Sequence, residues 1–273
     1  MNGRSAGLGI VIMAAMAFQA PPLQAQTDTF EWSGRLGQGQ VIEVRGIIGE
    51  IRAVLSSGDQ VEVVARKRGE RDDFHQIAIE VAEDGNRTII CAVYGDWKHG
   101  QGRCHPDFDD GDNREDRRHR NVDMDVEVDY EVRVPAGVDF DGSIVSGDIR
   151  ATGLRSDVSV NTVDGEIYVE TTGRAWANSV AGDIELSMGD PGSGDLDFNS
   201  VSGDITLWLP SDFAADIDFS SLSGDLDTDF EMTIQRRRGR WIGSSIEGTI
   251  GGGGRELTLH TVSGDVEIRE RRR

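Results

Sequence analysis

Acidic residues at one recurring position are the first feature of this sequence that could do chemistry. Asp148, Glu166, Asp183, Asp204, Asp225 and Asp265 each follow a glycine, at Gly147, Gly165, Gly182, Gly203, Gly224 and Gly264. Stacked at the usual strand spacing of ~4.8 Å, they would form a column of carboxylates. Neighbouring charges at that spacing repel by about 0.9 kcal/mol even at the dielectric of water. Turn N–H groups donating to each carboxylate would offset this. So would a row of Ca²⁺ ions, which take carboxylate oxygens as ligands. Calcium-binding solenoids use a denser Gly-Gly-x-Gly-x-Asp code, and this sequence lacks it. Turn formation is the expected role, and no cofactor is required.

A second acidic cluster runs Asp107-Phe108-Asp109-Asp110-Gly111-Asp112-Asn113. Asp107, Asp109, Asp110 and Asp112 are its candidate metal ligands, for Ca²⁺. The closing glutamate of an oxygen-ligand calcium loop is missing at the required offset. The next stretch, Arg114 to Arg120, is basic, so pairing within the segment competes with a cation. Cys91 and Cys104 are the two cysteines. In an oxidising compartment they read as one disulfide, closing a loop of about a dozen residues for roughly 3 kcal/mol on a chain-entropy estimate. The alternative is a metal pair completed by His99 and His105, at spacings that match no standard zinc pattern. No Gly-x-Ser-x-Gly elbow, His-Glu-x-x-His pair or phosphate-binding loop occurs. Carboxylates are so numerous that no pair stands out as general acid and base.

The elements that position these residues are short repeats. The units are Ile144-Val145-Ser146-Gly147-Asp148-Ile149, Thr162 to Ile167, Ser179 to Ile184, Ser200 to Ile205, Ser221 to Leu226 and Thr261 to Val266. A degraded copy centres on Gly248, and an early relative is Ile47-Ile48-Gly49-Glu50-Ile51. Successive glycines, Gly248 included, lie 16 to 24 residues apart. A period near 20 in strand-type residues indicates stacked β-rungs. Within each unit the Ser-Gly-Asp triplet is expected to make a tight corner, with glycine free to take positive φ. The apolar residues two before and two after the glycine are expected to point inward. Asn161-Thr162, Asn178-Ser179, Asn199-Ser200 and Ser220-Ser221 recur beside the corners, and their amides and hydroxyls are expected to satisfy one another along the stack.

Before the repeats, residues 26–140 carry longer alternating segments. A hairpin is expected around Asp84-Gly85-Asn86, and Val122 to Val134 alternates without a fault until Pro135, a strong strand signal. Residues 95–121 hold almost no aliphatic side chains and are expected to form a charged loop insert. Residues 1–25 read as a signal peptide: Arg4, an apolar run from Leu8 to Phe18, then Pro21-Pro22 and Ala25. That run is too short for a membrane span. The fold class is therefore all-β: a single-chain, β-helix-like solenoid of ~20-residue rungs over 141–273, preceded by a more regular β-rich part. Two arginine clusters remain. Arg236-Arg237-Arg238 with Arg240 and Trp241 is expected to be a solvated hairpin turn. Arg269 with Arg271 to Arg273 is expected to cap the open end of the solenoid.

The Val134-Pro135-Ala136-Gly137 entry, followed by repeated Val-Ser-Gly-Asp-Ile units, resembles the bacterial putative adhesin family. The resemblance spans roughly residues 40–268. It implies an exported β-solenoid domain, and it supplies no catalytic or ligand residues. The insert at 95–121 departs from the family pattern.

Net charge is −21, which argues against nucleic acid as partner because phosphates would be repelled. Hydrophobic content of 37% with 6% aromatics suits a thin elongated core rather than a wide one. The expected function is that of a non-catalytic structural or interaction protein of the cell envelope, adhesin-like, exported to the periplasm or secreted. Its partner would be an envelope or surface protein, a polysaccharide, or a second copy of itself. The rivals are a calcium-dependent binding protein using the acidic turns, and a carbohydrate-active enzyme on a solenoid scaffold.

Overall fold

A computed structural model describes residues 28–94, 104, 126–238 and 243–271. Of the described residues, 66% are strand and 3% helix. Its strands, in chain order, are β1 (Thr29–Gly34), β2 (Val41–Arg45), β3 (Ile51–Leu55), β4 (Val61–Arg68), β5 (Ile77–Asp84), β6 (Arg87–Tyr94) and β7 (Glu127–Val134). Then follow β8 (Asp139–Ser146), β9 (Ile149–Leu154), β10 (Val158–Asp164), β11 (Ile167–Thr171), β12 (Ala175–Ala181), β13 (Ile184–Met188), β14 (Leu196–Ser202) and β15 (Ile205–Leu209). The last are β16 (Ala215–Ser223), β17 (Leu226–Thr228), β18 (Met232–Arg238), β19 (Ser244–Ile250), β20 (Arg255–Ser263) and β21 (Val266–Glu270). They form two sheets of ten and eleven strands.

Each rung is one strand in the eleven-stranded sheet, a corner, and one strand in the ten-stranded sheet. The rungs β8–β9, β10–β11, β12–β13 and β14–β15 stack in parallel and in register. The early Gly49 unit, β2–β3, stacks below β8–β9 in the same way. The β-solenoid and its ~20-residue rungs are thus as the repeats predict, and the sheets run without a break across residue 140.

The order of the rungs departs from the order of the sequence. β20 pairs in parallel with both β14 and β16, and β21 pairs with both β15 and β17. The last repeat is therefore inserted between two repeats that precede it. The intervening segment leaves as β18 and β19, which add antiparallel strands beyond β16. Two sequence expectations change as a result. Gly248 is no corner: it lies inside β19, opposite Ile217 and Ile234. Arg269 caps no open edge, because β21 has a neighbour on each side, and its guanidinium instead binds Asp227, Asp229 and Glu267. Arg236 does sit in the β18–β19 hairpin, on the strand itself, paired with Glu247. Arg240, Trp241, Arg272 and Arg273 lie outside the described residues, as does the 1–25 segment.

At the other end, β5 and β6 form the hairpin expected around Asp84-Gly85-Asn86. β7 carries the described part of the alternating run, with Val128, Tyr130, Val132 and Val134 buried; Val122 and Met124 lie outside the described residues. Cys91 on β6 is disulfide-bonded to Cys104, with Cα atoms 5.8 Å apart, which excludes a metal pair at those two sulfurs. The bridge packs Cys104 against Ile89 and Val93, on the side of β6 that faces away from the main core.

The core is a narrow seam between the sheets. Ile51, Ile149, Ile167, Ile184, Ile205 and Val266 stack as one aliphatic column, each essentially fully buried. Each contributes roughly 2–3 kcal/mol of burial. In the facing sheet, rings sit against short residues, as at Ala177 beside Phe198 and at Gly142 under the Phe140 ring, and fill the space these leave.

The corner glycines set the spacing. Gly147, Gly165, Gly182, Gly203 and Gly264 have φ between +123° and +153°. A Cβ on any of them would lie 1.6 to 2.2 Å from the carbonyl oxygen of the corner glycine one rung below. Both the backbone conformation and the contact therefore exclude a side chain. Gly254, with φ +124° and no atom within 4 Å of the place a Cβ would take, separates the two effects. Gly203→Ala is expected to cost about 2–5 kcal/mol from strain plus overpacking, against about 1–2 kcal/mol of strain alone for Gly254→Ala. Urea unfolding of both variants checks the difference.

Candidate interaction face

The corner acids lie in one line down the solenoid. Four of the six carboxylates are held by the backbone of the adjacent rung. Asp148 Oδ1 accepts the Glu166 N–H at 2.8 Å, and Asp183 Oδ1 accepts the Asp204 N–H at 2.9 Å. Asp204 Oδ1 accepts the Asp265 N–H at 2.7 Å, and Asp265 Oδ1 accepts the Asp225 N–H at 2.9 Å. The turn role is thus a bond between rungs rather than within one turn. The last two bonds follow the spatial order of the rungs, with Asp265 between Asp204 and Asp225. The shorter aspartate supports this bond; the longer Glu166 side chain makes none to Asp183 among the described residues. No cluster of three or more His, Cys, Asp or Glu side chains suited to a metal ion occurs among the described residues. Asp107, Asp109, Asp110 and Asp112, with His99 and His105, lie outside them.

Beside the acids runs an apolar ridge. Val145, Val163, Val180, Val201, Val262 and Leu222 stand two residues before the corner glycines, and their relative exposures are 48, 47, 45, 46, 45 and 56%. The strand registers put them in one column across β8, β10, β12, β14, β20 and β16. The expectation that these residues point inward is therefore wrong. The inward place belongs to the residue before each of them: Ile144, Thr162, Ser179, Ser200, Thr261 and Ser221, all buried. A corner where the chain crosses from one sheet to the other restarts the two-residue alternation. Inward residues run Val158, Val160, Thr162 on one side of Gly165 and Ile167, Val169, Thr171 on the other. The signal was present in the repeats: a small hydroxyl residue stands just before five of the six exposed apolar ones.

On the far side of the ridge stands a polar column. Asn178 Nδ2 donates to Asn161 Oδ1 at 3.0 Å, and Asn199 Nδ2 donates to Asn178 Oδ1 at 3.1 Å. Ser220 Oγ and His260 Nδ1 continue it at 2.6 Å. The amide ladder is as expected; the hydroxyl ladder is not. Thr162 Oγ1 donates to the Gly147 carbonyl at 3.2 Å, but the hydroxyls of Ser179, Ser200, Ser221 and Thr261 are buried without a hydrogen-bond partner.

Several charges elsewhere on the faces are paired. Arg87 bridges Glu43 and Asp141, and Arg174 binds Asp157 while lying over the Trp176 ring at 4.7 Å. Burial, followed by the nearby Glu43 carboxylate, raises the Asp141 carboxyl above the ordinary aspartate value, and Arg87 opposes that shift. The corner acids contrast with this: none of Asp148, Glu166, Asp183, Asp204, Asp225 and Asp265 has an ion-pair partner among the described residues. The molecule thus presents a strip with exposed apolar side chains at its centre, acids without an ion pair among the described residues on one flank, and amides on the other.

The unpartnered hydroxyls give a direct check on this geometry. A buried hydroxyl without a partner carries a desolvation cost of about 1–3 kcal/mol. Ser200→Ala is therefore expected to leave stability unchanged or raise it by up to about 1 kcal/mol. Thr162→Val, which breaks the bond to Gly147, is expected to lower it by about 1 kcal/mol. Denaturant melts of the two variants read the opposite signs.

No curated protein matches this sequence. Among solved structures, a putative cell adhesion protein from Clostridium sporogenes covers 89% of this chain and 100% of its own, at 8% identity and a TM-score of 0.44. A putative adhesin from Bacteroides fragilis covers 90% of this chain and 98% of its own, at 10% identity and a TM-score of 0.26. One from Parabacteroides distasonis gives the same coverages and identity, with a TM-score of 0.24. The family model of the Toastrack domain DUF4097 matches residues 131–269, a span that runs from the second half of β7 through the repeat corners from Gly147 to Gly264. The chain belongs to the Toastrack DUF4097 family.

Proposed function

We propose that this chain is a non-catalytic interaction module of the cell envelope, exported to the periplasm or beyond, which engages its partner along the strip of rung corners. The observation that carries this reading is the ridge itself: six adjacent rungs each expose a branched aliphatic residue at one position. Soluble proteins scatter such residues singly, and a continuous apolar line marks a binding surface. Two further observations support it. Four of the five corner aspartates spend an oxygen on a neighbouring backbone N–H, which favours structural turns over a row of calcium ions. The Cys91–Cys104 disulfide suits an oxidising compartment, in keeping with the Leu8–Phe18 apolar run and the Ala25 cleavage position.

The test is site-specific photo-crosslinking in cells that make the protein. A benzophenone amino acid is placed at Val180, on the ridge, or at Tyr168, on the outer face of the opposite sheet. The reading expects higher-mass adducts from position 180 and none above background from position 168. Equal adducts from both positions, or none from position 180, would overturn it.

A further inference from the structure

The chemistry of the strip narrows its partner, and this inference rests on the reading above. We propose that the strip docks a cationic amphipathic α-helix, laid along the solenoid axis across the rungs.

Length and shape come first. Six rungs at ~4.8 Å give a ridge of about 24 Å. An α-helix with its 5.4 Å pitch covers that in four to five turns, about 16 residues. The ridge is one side chain wide. It matches the narrow apolar stripe of an amphipathic helix, whose residues recur once per turn at nearly the spacing of the rungs.

The backbone decides between helix and strand. An added β-strand needs unpaired N–H and C=O groups at a sheet edge. Strands β10, β12, β14 and β20 are each hydrogen-bonded to a neighbour on both sides. A partner lying across them meets side chains only, so it has to satisfy its own backbone, as a helix does.

Charge then sets the sign of the partner. The six corner segments, 143–148, 161–166, 178–183, 199–204, 220–225 and 260–265, hold seven acids and no lysine or arginine. The seventh acid, Asp164, is exposed beside Val163. None of the seven has an ion pair among the described residues, whereas Asp129, Asp141, Asp157 and Asp227 do. A second copy of this chain, at net −21, would bring like charge to the strip. So would nucleic acid or an anionic lipid surface. Lysine and arginine on one flank of a helix would meet the acids while its apolar stripe covers the valines. The amide column of Asn161, Asn178 and Asn199 would face the opposite flank.

Fluorescence anisotropy tests this with the full chain, its disulfide intact, and three labelled 18-residue peptides. The first is a Leu/Lys sequence with leucines at helical spacing, the second replaces every lysine with glutamate, and the third scrambles the first so that no apolar stripe forms. The proposal expects saturable binding of the first peptide, weakened by added salt, and at least tenfold weaker binding of the other two. It expects Val180→Ser/Val201→Ser to weaken binding at least tenfold. It expects the same of Asp183→Asn/Asp204→Asn, which keeps the Oδ1 acceptor but removes the charge. Tyr168→Ser, on the opposite sheet, is expected to leave affinity unchanged. Equal binding of the scrambled peptide, or unchanged affinity in the valine variant, reduces the effect to polyanion attraction and overturns the proposal. No binding of the Leu/Lys peptide overturns it too. If crosslinks still form at position 180 in cells, only the partner's chemistry is wrong; if they do not, the interaction strip itself falls.

Discussion

The contact on which the molecule depends is between the Cα of one corner glycine and the carbonyl oxygen of the next. At Gly165, Gly182, Gly203 and Gly264 there is no room for a Cβ. Removing the side chain lets adjacent rungs close to strand distance at the very point where the chain leaves one sheet for the other. The backbone bonds that flank the contact, such as Gly182 N–H to Ser202 O and Ile184 N–H to Asp204 O, both 2.9 Å, then run in parallel register on each side of it. Once the corners are stacked, every other position of the repeat must stack as well. The isoleucine column, the amide ladder, the acid line and the valine ridge are all images of that one register.

Register also makes the acid line tolerable. Adjacent carboxylates at strand spacing repel by about 0.9 kcal/mol in water-like surroundings. A hydrogen bond from a backbone N–H to a charged acceptor is worth about 1.5–3 kcal/mol, so each aspartate that reaches its neighbour's N–H more than offsets its share. What remains is a field that nothing on the strip neutralises. The same repeat therefore stabilises the stack locally and leaves a surface whose charge asks for a complementary partner. The apolar ridge beside it has a similar double origin. The inward position before five of the six corners is taken by a small residue, Ser179 or Ser200 among them, and the larger aliphatic neighbour is left facing water.

Much of this was legible in the residues, and the gaps have physical causes. The repeats, the corner glycines, the Cys91–Cys104 bridge and the hairpin at Asp84-Gly85-Asn86 are local signals, each set by a few adjacent residues. The side of the sheet on which Val180 lies is not local. It depends on how many residues the corner consumes before alternation resumes, and two-residue periodicity carried through Gly182 gives the wrong face. Gly248 looked like a degraded corner because Ser245 to Ile250 keeps the spacing of the repeat; tertiary pairing with β16 and β18 makes it a plain strand. The insertion of β20–β21 between β14–β15 and β16–β17 is the least local feature of all. Repeats this similar can exchange neighbours without changing any contact type, so the sequence pattern is nearly silent on their order. The clearest trace is chemical: Asp204 hands its carboxylate to Asp265, and Asp265 to Asp225.

The order of the corner column is the claim from which the continuous ridge and acid line follow, and nuclear Overhauser contacts between corner residues measure it directly. In the folded protein, with glycines selectively protonated, the account predicts contacts from Gly203 to Gly264 and from Gly264 to Gly224, with none between Gly203 and Gly224. A direct Gly203–Gly224 contact would mean that the repeats stack in chain order, and would contradict the corner register from which the strip is built.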